Sequence, residues 1–142
     1  MAVKTYDPSA IDVICGGFPI TGFADGSMVT VEKNSDAWIT KVGSDGEGSR
    51  SKSCDRSGKV TIRLMQTSPS NLILSGFFKA DDIADAGTFP CIVKDSRAAG
   101  ETHAAENAWI QKEPSASYER EDGVREWVIA SDNIQSFLTG HA

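Results

Sequence analysis

The chain has 142 residues, a length that suits one domain, and its 39% hydrophobic and 24% charged residues are ordinary globular proportions. A formal net charge of −6 argues against tight nucleic-acid binding, which needs clustered Lys and Arg. The first ten residues lack the apolar core of a signal peptide, and no stretch has the roughly 20 apolar residues of a membrane-spanning helix. We therefore expect residues 1–142 to form a single soluble domain.

Turn residues recur at short intervals along the chain, and the runs between them are rich in Val, Ile, Thr and aromatic side chains. In the run that contains Val60, Ile62 and Leu64, the apolar residues alternate with polar ones, which is typical of a half-buried strand. The pattern predicts antiparallel strands at residues 11–15, 18–21, 28–32, 38–42, 60–65, 89–94, 102–110 and 124–131. Residues 133–138 are predicted to form a short turn or a last strand.

One helix is predicted at residues 69–82. Ser68 is a suitable N-cap, and Pro69 suits the first helical position because its missing N–H would be unpaired there in any case. The side chains expected to pack this helix on the sheet are Leu72, Leu74, Phe77 and Phe78. Repeated strands with one helix predict a mostly β fold: an antiparallel β-barrel or sandwich with one flanking α-helix.

Residues 43–58 form a polar stretch of both charge signs with almost no apolar side chain. A loop of this length is uncommon in a compact domain unless it is functional or disordered. We interpret it as a contact between subunits, because it cannot be buried within its own chain. The candidate contact residues are Asp45, Glu47, Arg50, Lys52, Cys54, Asp55 and Arg56.

Motifs of catalysis, metal binding and nucleotide binding were sought, and the sequence does not support them. The glycines in 43–48 precede no Gly-Lys-Ser/Thr helix start, as a phosphate loop requires. His103 and Glu106 fall on opposite faces of a strand, and the acidic residues in 81–85 lack the spacing of a calcium loop. We expect no enzymatic activity, cofactor or metal.

Three tryptophans, Trp38, Trp109 and Trp127, each lie in a predicted strand. They are expected in the core or in a subunit interface, while the alternative is a row of stacking platforms for sugars, as in a carbohydrate-binding β-sandwich.

The three cysteines, Cys15, Cys54 and Cys91, lie far apart with no C-x-x-C spacing, and an odd number cannot all pair within one chain. Two interpretations remain open. The thiols are idle, or Cys54 in its polar stretch bonds to Cys15 or Cys91 of an adjacent chain.

Five segments, taken together in order and spacing, resemble one known family. They are GFADG at 22–26, VGSDGEG at 42–48, LMQTSPSN at 64–71, AWIQK at 108–112 and REWVI at 125–129. The sequence resembles the tail tube family of contractile-tailed bacteriophages over residues 6–138.

The resemblance implies a single tail tube domain that assembles into hexameric stacked rings. Viral DNA would pass through the tube without specific binding, and the family has no catalytic residues to carry over. It also implies location in the virion tail after assembly in the bacterial cytoplasm, with sheath, baseplate or tail-tip, and tape-measure proteins as partners. The alternative closest in kind is the tube of a phage-derived injection or secretion system.

Overall fold

The computed structural model describes Val3 and residues 8–26, 28–95 and 101–139. A short 3₁₀ turn, Pro8–Ala10, leads into ten strands and one helix. In chain order these are β1 Ile11–Cys15, β2 Phe18–Pro19, β3 Val29–Lys33, β4 Trp38–Val42, β5 Gly48–Lys52, β6 Gly58–Met65, α1 Ser70–Ala84, β7 Phe89–Asp95, β8 Thr102–Lys112, β9 Val124–Ser131 and β10 Ile134–Phe137.

Eight strands form one antiparallel sheet in the order β2-β1-β7-β8-β9-β6-β3. The eighth, β10, continues from β9 and pairs with the first half of β8. The remaining strands, β4 and β5, pair with each other as a separate two-stranded sheet. The mostly β, antiparallel fold with one helix is therefore confirmed.

The expected barrel is not closed. Val29 and Val31 of β3 lie across a groove of about 730 Å³ from Ile11 of β1 and Val93 of β7, so the sheet curls until its two ends approach each other. No strand pairing joins those ends in the part of the chain that the structure describes. The architecture is a rolled, open sheet.

The hydrophobic core is formed by strands in which buried and exposed residues alternate. Along β6 every second residue, including Val60, Ile62 and Leu64, is buried, and its neighbours in sequence are partly exposed. Strand β9 pairs with β6 over its whole length and adds Trp127 and Ile129 to the same face. Burial of this apolar face is the main source of stability, at about 25 cal/mol per Å² of apolar surface.

Helix α1 packs on the core through Leu74, Phe77 and Phe78. Leu74 is fully buried, and the Phe77 ring stacks on Phe89 with centroids 4.4 Å apart. The expectation that Leu72 packs there is wrong: its side chain is 80% exposed. Two residues along a helix turn the side chain by about 200°, so Leu72 faces away from the surface that Leu74 contacts.

The helix begins one residue later than predicted, with Pro69 as the N-cap and without a side-chain capping bond. Ser68 instead accepts a hydrogen bond from the Ser70 N–H at 3.2 Å and donates one to the Thr21 carbonyl at 2.5 Å. Its hydroxyl thus links the helix start to the segment after β2.

All eight predicted strands are present, with ends shifted by at most two residues, and residues 134–137 form the predicted last strand. Strand β5 was not predicted, because Gly48–Lys52 contains no apolar residue. Within the described ranges no helix has the length and apolar content required to cross a membrane.

The two rims of the sheet carry different connections. In an antiparallel sheet, successive connections alternate between the two ends of the strands. The segment between β3 and β6, which contains β4 and β5, therefore lies at one rim. Helix α1, between β6 and β7, and residues 113–123, between β8 and β9, lie at the other.

Candidate assembly surface

The β4–β5 hairpin is the most exposed regular element of the described chain. Every residue of both strands is exposed, and within the described residues neither strand pairs with the main sheet. Hairpins of two strands are at best marginally stable alone in water. An exposed hairpin of this kind is therefore well suited to gain its packing from another chain.

One face of the hairpin is apolar and positively charged. Trp38, Thr40 and Val42 alternate along β4 and share this face with Arg50 and Lys52 of β5. The Arg50 guanidinium lies over the Trp38 ring, 4.1 Å from its centroid, which is a cation–π contact between diagonal cross-strand neighbours.

The opposite face carries Ile39 and Lys41 of β4 beside Ser49 and Ser51 of β5. Ile39 and Val42 are 63% and 62% exposed, so both faces present an aliphatic side chain to solvent. Exposed apolar side chains gathered on one small element are a feature of interaction sites.

The tip of the hairpin is a tight turn. The Gly43 N–H donates to the Glu47 carbonyl at 2.8 Å, and the Gly46 N–H donates to the Gly43 carbonyl at 3.0 Å. Gly46 has φ of +86°, a conformation that favours glycine. Asp45 accepts a hydrogen bond from the Glu47 N–H at 3.1 Å, which orients the Asp45 carboxylate at the tip.

The base of the hairpin is held by a hydrogen-bond network around Asp55. Its carboxylate accepts hydrogen bonds from the Ser35 and Ser57 hydroxyls, each at 2.6 Å, and from the Ser57 N–H at 2.9 Å. The Ser35 hydrogen bond, followed by those from Ser57, lowers the pKa of Asp55 to about 2. The network joins the two chain segments that enter and leave the hairpin.

The structure divides the sequence-predicted contact residues among three places. Asp45 and Glu47 lie at the tip, and Arg50 and Lys52 lie on β5. Cys54 and Asp55 lie at the base. Arg56 is tied to the main sheet, since its carbonyl accepts a hydrogen bond from the Ile134 N–H at 3.0 Å. The expected polar loop 43–58 is therefore wrong as a description of structure: it is a turn, a strand and an ordered base.

The apolar half of this surface is absent from the contact residues predicted from the sequence. Trp38, Ile39 and Val42 are in a correctly predicted strand, but their exposure was not foreseen. The available signal was the Asp45-Gly46 turn. A turn three residues after the end of a strand predicts a returning partner strand, even one made only of Gly, Ser, Arg and Lys.

The two rims differ in charge. The hairpin strands carry Lys41, Arg50 and Lys52 and its tip carries Asp45 and Glu47, so the strands are basic while the whole hairpin, residues 38–52, has a formal charge of +1. Residues 113–123 at the other rim hold four acidic side chains against one arginine. The carboxylates of Asp81, Asp82 and Asp85 at the end of α1 lie at that rim as well. The basic strands of the hairpin and the acidic side chains of the other rim suit head-to-tail contact.

The cysteines separate into two environments. Cys15 and Cys91 are buried in the core with their sulfurs 3.7 Å apart, whereas Cys54 is exposed. Cys15 and Cys91 are therefore not accessible to another chain in this fold. An intersubunit bond of Cys54 stays a prediction, but the burial of Cys15 and Cys91 argues against the two partners that the sequence suggested for it.

The tryptophans do not form a common platform. Trp127 is buried, and its indole N–H donates to the Asn71 side-chain carbonyl at 2.9 Å. Trp109 is half-buried on β8, and Trp38 stands on the separate hairpin beneath Arg50. This arrangement gives no support to a sugar-binding surface. Among the described residues, no cluster of His, Cys, Asp and Glu could hold a metal ion.

Comparison with known proteins agrees with this architecture. Residues 8–139 match the family model described as bacteriophage PhiTE tail tube protein. The chain belongs to the phage tail tube family. The resemblance stated from the sequence is thereby confirmed over almost all of its length. The chain is also 26% identical over 138 residues to "Structural protein ORF10" of Pseudomonas phage KPP10, covering 92% of this chain and 79% of that protein.

Solved structures share the fold of this tail tube protein at low sequence identity. A chain of the sheath/tube terminator of the extracellular contractile injection system PVC in the extended state matches with a TM-score of 0.70 and 15% identity, covering 97% of this chain and 100% of that one. The tube-terminating cap of the anti-feeding prophage matches with a TM-score of 0.62 and 15% identity, covering 96% and 95%. A chain of the PVC sheath-tube complex matches with a TM-score of 0.62 and 14% identity, covering 94% and 93%.

Proposed function

We propose that this protein is the structural subunit of a bacteriophage tail tube, polymerises as stacked rings, which we expect to be hexameric, and forms the conduit for viral DNA. The observation that carries the proposal is the exposed β4–β5 hairpin at one rim of the sheet, opposite an acidic rim. Membership of the tail tube family supports the general role.

The hairpin is the proposed stacking element. A contact between two different surfaces of identical subunits is heterologous, and it produces a ring if the arrangement closes and an open filament if it does not. The hairpin leaves the sheet between Lys33 and Gly58, at the end of the strands away from α1. It would thus meet the helix-bearing rim of the next subunit along the tube.

Charge gives this contact its direction. Lys41, Arg50 and Lys52 of one subunit would approach the carboxylates within residues 113–123 and at the end of α1 of the next. Trp38, Ile39 and Val42 would supply the apolar contact at its centre, since buried aromatic anchors dominate interface energy. Two copies placed hairpin to hairpin would bring like charges together.

The first test removes the hairpin. The Ser53 N–H donates to the Ala37 carbonyl at 2.8 Å, so these two residues already form a hydrogen-bonded pair. Replacing residues 38–52 by an Asn-Gly turn suits this geometry. The shortened protein should keep a cooperative urea unfolding transition, because the main sheet is intact, and it should fail to form tubes in electron micrographs. Long tubes of normal subunit spacing from this variant would refute the stacking role.

The second test reverses charge without shortening the chain. The double variant Lys41→Glu and Lys52→Glu should lose stacking. The matched control, Lys79→Glu and Lys112→Glu, makes the same change in net charge on the α1 side of the molecule and should keep it. Adding Glu119→Lys and Glu121→Lys to the first variant should restore tubes. Equal loss in variant and control would point to net charge alone and contradict the hairpin contact.

A conduit must let DNA slide. The subunit's net charge of −6 favours a wall that repels phosphates over about 8–10 Å at physiological salt. Assembled tubes should therefore bind duplex DNA weakly even at low ionic strength, as measured by sedimentation of tubes with labelled DNA. Tight, salt-sensitive binding would overturn this part of the proposal.

The same role sets the proposed location and partners. The protein would reside in the virion tail after assembly in the host cytoplasm, alongside sheath, baseplate or tail-tip, and tape-measure proteins, and it would have no enzymatic activity or cofactor. The fold shared with tube and terminator chains of injection systems favours a second candidate, the tube of such a system. The presence of packaged DNA in purified particles would separate the two.

A further inference from the structure

Two core cysteines lie directly opposite each other on neighbouring strands. Cys15 ends β1, Cys91 lies in β7, and the two are register partners in the antiparallel ladder. Their sulfur atoms are 3.7 Å apart, and their side chains are 0% and 2% exposed. The two residues are separated by 76 positions in sequence, so a bond between them would join distant parts of the chain.

The backbone between them has the geometry that a disulfide needs. The Gly16 N–H donates to the Pro90 carbonyl at 2.8 Å, so the next pair along the ladder is hydrogen-bonded and the cysteine pair is not. Non-hydrogen-bonded pairs hold their Cα atoms at about 4.5 Å and their side chains close together. Disulfides span Cα separations of about 4.4–6.8 Å, and the separation typical of a non-hydrogen-bonded pair lies at the near end of that range.

The surroundings explain why the thiols are protected. The hydrogen bond between the two thiols raises the pKa of Cys15 and lowers the pKa of Cys91, and burial of both side chains keeps them from reagents in solution while the sheet is closed. The pair lies close to an edge of the sheet, however. Strand β2 has two residues, both exposed, and the Gly16-Gly17 turn joins it to β1 at the end of the sheet. Local opening of this corner would expose both sulfurs together.

We propose that Cys15 and Cys91 form an oxidation site, at which a small-molecule disulfide such as oxidised glutathione creates an intrachain bond between β1 and β7. One cysteine thiolate attacks the small disulfide, forming a mixed disulfide and releasing one glutathione thiolate. The second cysteine thiolate then attacks the protein sulfur and releases the other glutathione. Two protein S–H bonds are lost, one S–S bond forms, and glutathione disulfide accepts the two electrons.

The bond fixes the end of the sheet at the corner that carries Phe18. It also closes a long segment of chain, which reduces the freedom of the unfolded state and stabilises the fold. An oxidising environment would therefore favour the subunit in which β1 and β7 are covalently joined. This inference concerns the folded subunit and holds whether or not the hairpin stacks rings.

The experiment uses the full chain with Cys54→Ser, which removes the exposed thiol. The protein is incubated with oxidised glutathione at pH 8, quenched, denatured without reductant and weighed by mass spectrometry. The expected product has lost two hydrogens, resists alkylation and yields one proteolytic species that contains both cysteines. Its denaturation midpoint should rise and return to the starting value after reduction.

Two outcomes overturn the proposal: two thiols that still react with the alkylating agent after denaturation, or a stable adduct with one glutathione. The matched control, Cys54→Ser with Cys91→Ala, should form no intrachain bond and show no reductant-dependent midpoint. The mass measurement on Cys54→Ser alone decides the question even where the alanine variant fails to fold. Slow oxidation that accelerates in dilute urea would support opening of the β1–β2 corner as the route.

Discussion

The main sheet and the β4–β5 hairpin each contain a tryptophan, one buried in the core and one exposed to solvent. In the sheet, Trp127 is 2% exposed and its N–H is paired with Asn71. On the hairpin, Trp38 is 44% exposed and its ring is covered by Arg50. The first is held by the fold of its own chain. The second lacks such packing, which is the state expected of a residue whose apolar contacts come from another subunit.

Folding and assembly should therefore be separable by mutation. Trp127→Ala should lower the free energy of unfolding by about 3–5 kcal/mol, because it leaves a cavity in the core and an unpaired Asn71. Trp38→Ala should lower it by less than about 1 kcal/mol, the scale of an exposed cation–π contact. Urea denaturation measures both. Tube formation should be lost with Trp38→Ala although the subunit stays folded.

A larger loss in the free energy of unfolding for Trp38→Ala than for Trp127→Ala would contradict the separation of folding from assembly. A Trp38→Ala variant that unfolds as readily as Trp127→Ala would mean that the hairpin is part of the folding unit. Phe replacements serve as controls, since Trp127→Phe keeps most of the core volume and should be milder than Trp127→Ala.

The two glycines after β1 test how tightly the sheet end packs on α1. Both have positive φ, +59° for Gly16 and +85° for Gly17, so alanine costs about 1–2 kcal/mol at either site. A Cβ at position 16 would lie 2.5 Å from the Phe77 ring, whereas one at position 17 meets nothing within 4 Å. Gly16→Ala should therefore be the more destabilising by about 1–3 kcal/mol in thermal or urea unfolding. Equal losses would show that Phe77 moves aside without cost.

Alternation predicted the main sheet well because one face of each strand is buried. Strand β6, with Val60, Ile62 and Leu64 on one side, is an example. The same rule failed for β5, since a strand exposed on both faces has no burial to impose alternation. The turn before β5 and the charges of β5 can be identified in the sequence. Its pairing with β4 cannot, because that pairing is made by backbone hydrogen bonds, which almost any side chain permits.

The candidate site was predictable only in part. Charge in 43–58 pointed to a contact surface, and Asp45, Glu47, Arg50 and Lys52 do lie on the hairpin. The pairing of Cys15 with Cys91 was not readable, because residues 76 positions apart meet only through the strand order β1-β7. The exposure of Leu72 was missed for a local reason: an apolar residue on a helix gives no sign of its face unless the core-facing stripe is already known.

The base of the hairpin offers a smaller and more local test. Asp55→Ala removes the acceptor of three hydrogen bonds that join residues 35 and 57 to the base. Global stability should hardly change, but amide hydrogens of β4 and β5 should exchange faster, as measured by mass spectrometry. Asp36→Ala is the matched control at an exposed neighbouring carboxylate. Unchanged exchange in Asp55→Ala would contradict the role of the network in holding the hairpin.

The hydrogen-bond network around Asp55 also predicts that the base of the hairpin loses its order at low pH. Hydrogen bonds from Ser35 and Ser57 hold the pKa of Asp55 at about 2, below its ordinary 3.8. A lowered pKa means that the ordered state of the base is favoured above pH 3.8 and is lost as the pH falls through about 2. Hairpin exchange rates in the wild type should therefore approach those of Asp55→Ala only under strongly acidic conditions.

The smallest expected effect belongs to His103, on the main sheet at the groove. Burial lowers the pKa of its imidazole, Glu101 raises it and Lys33 lowers it, with a net pKa below the ordinary 6.5. The ring nitrogen Nδ1 also lies 2.8 Å from the Ser136 hydroxyl. Because the unfolded chain binds this proton more readily than the folded one, protonation favours unfolding.

His103 should therefore contribute its full share to the free energy of unfolding above pH 6.5, and that share should be lost as the pH falls through the folded pKa. Urea titrations at pH 7.5 and 5.5 measure the difference. His103→Gln keeps a polar side chain beside Ser136 and should show a flatter pH dependence. His141 is present in both proteins, so subtraction isolates position 103. An identical slope in the two proteins would mean that the groove does not desolvate this imidazole and that the rolled sheet is more open there than its geometry indicates.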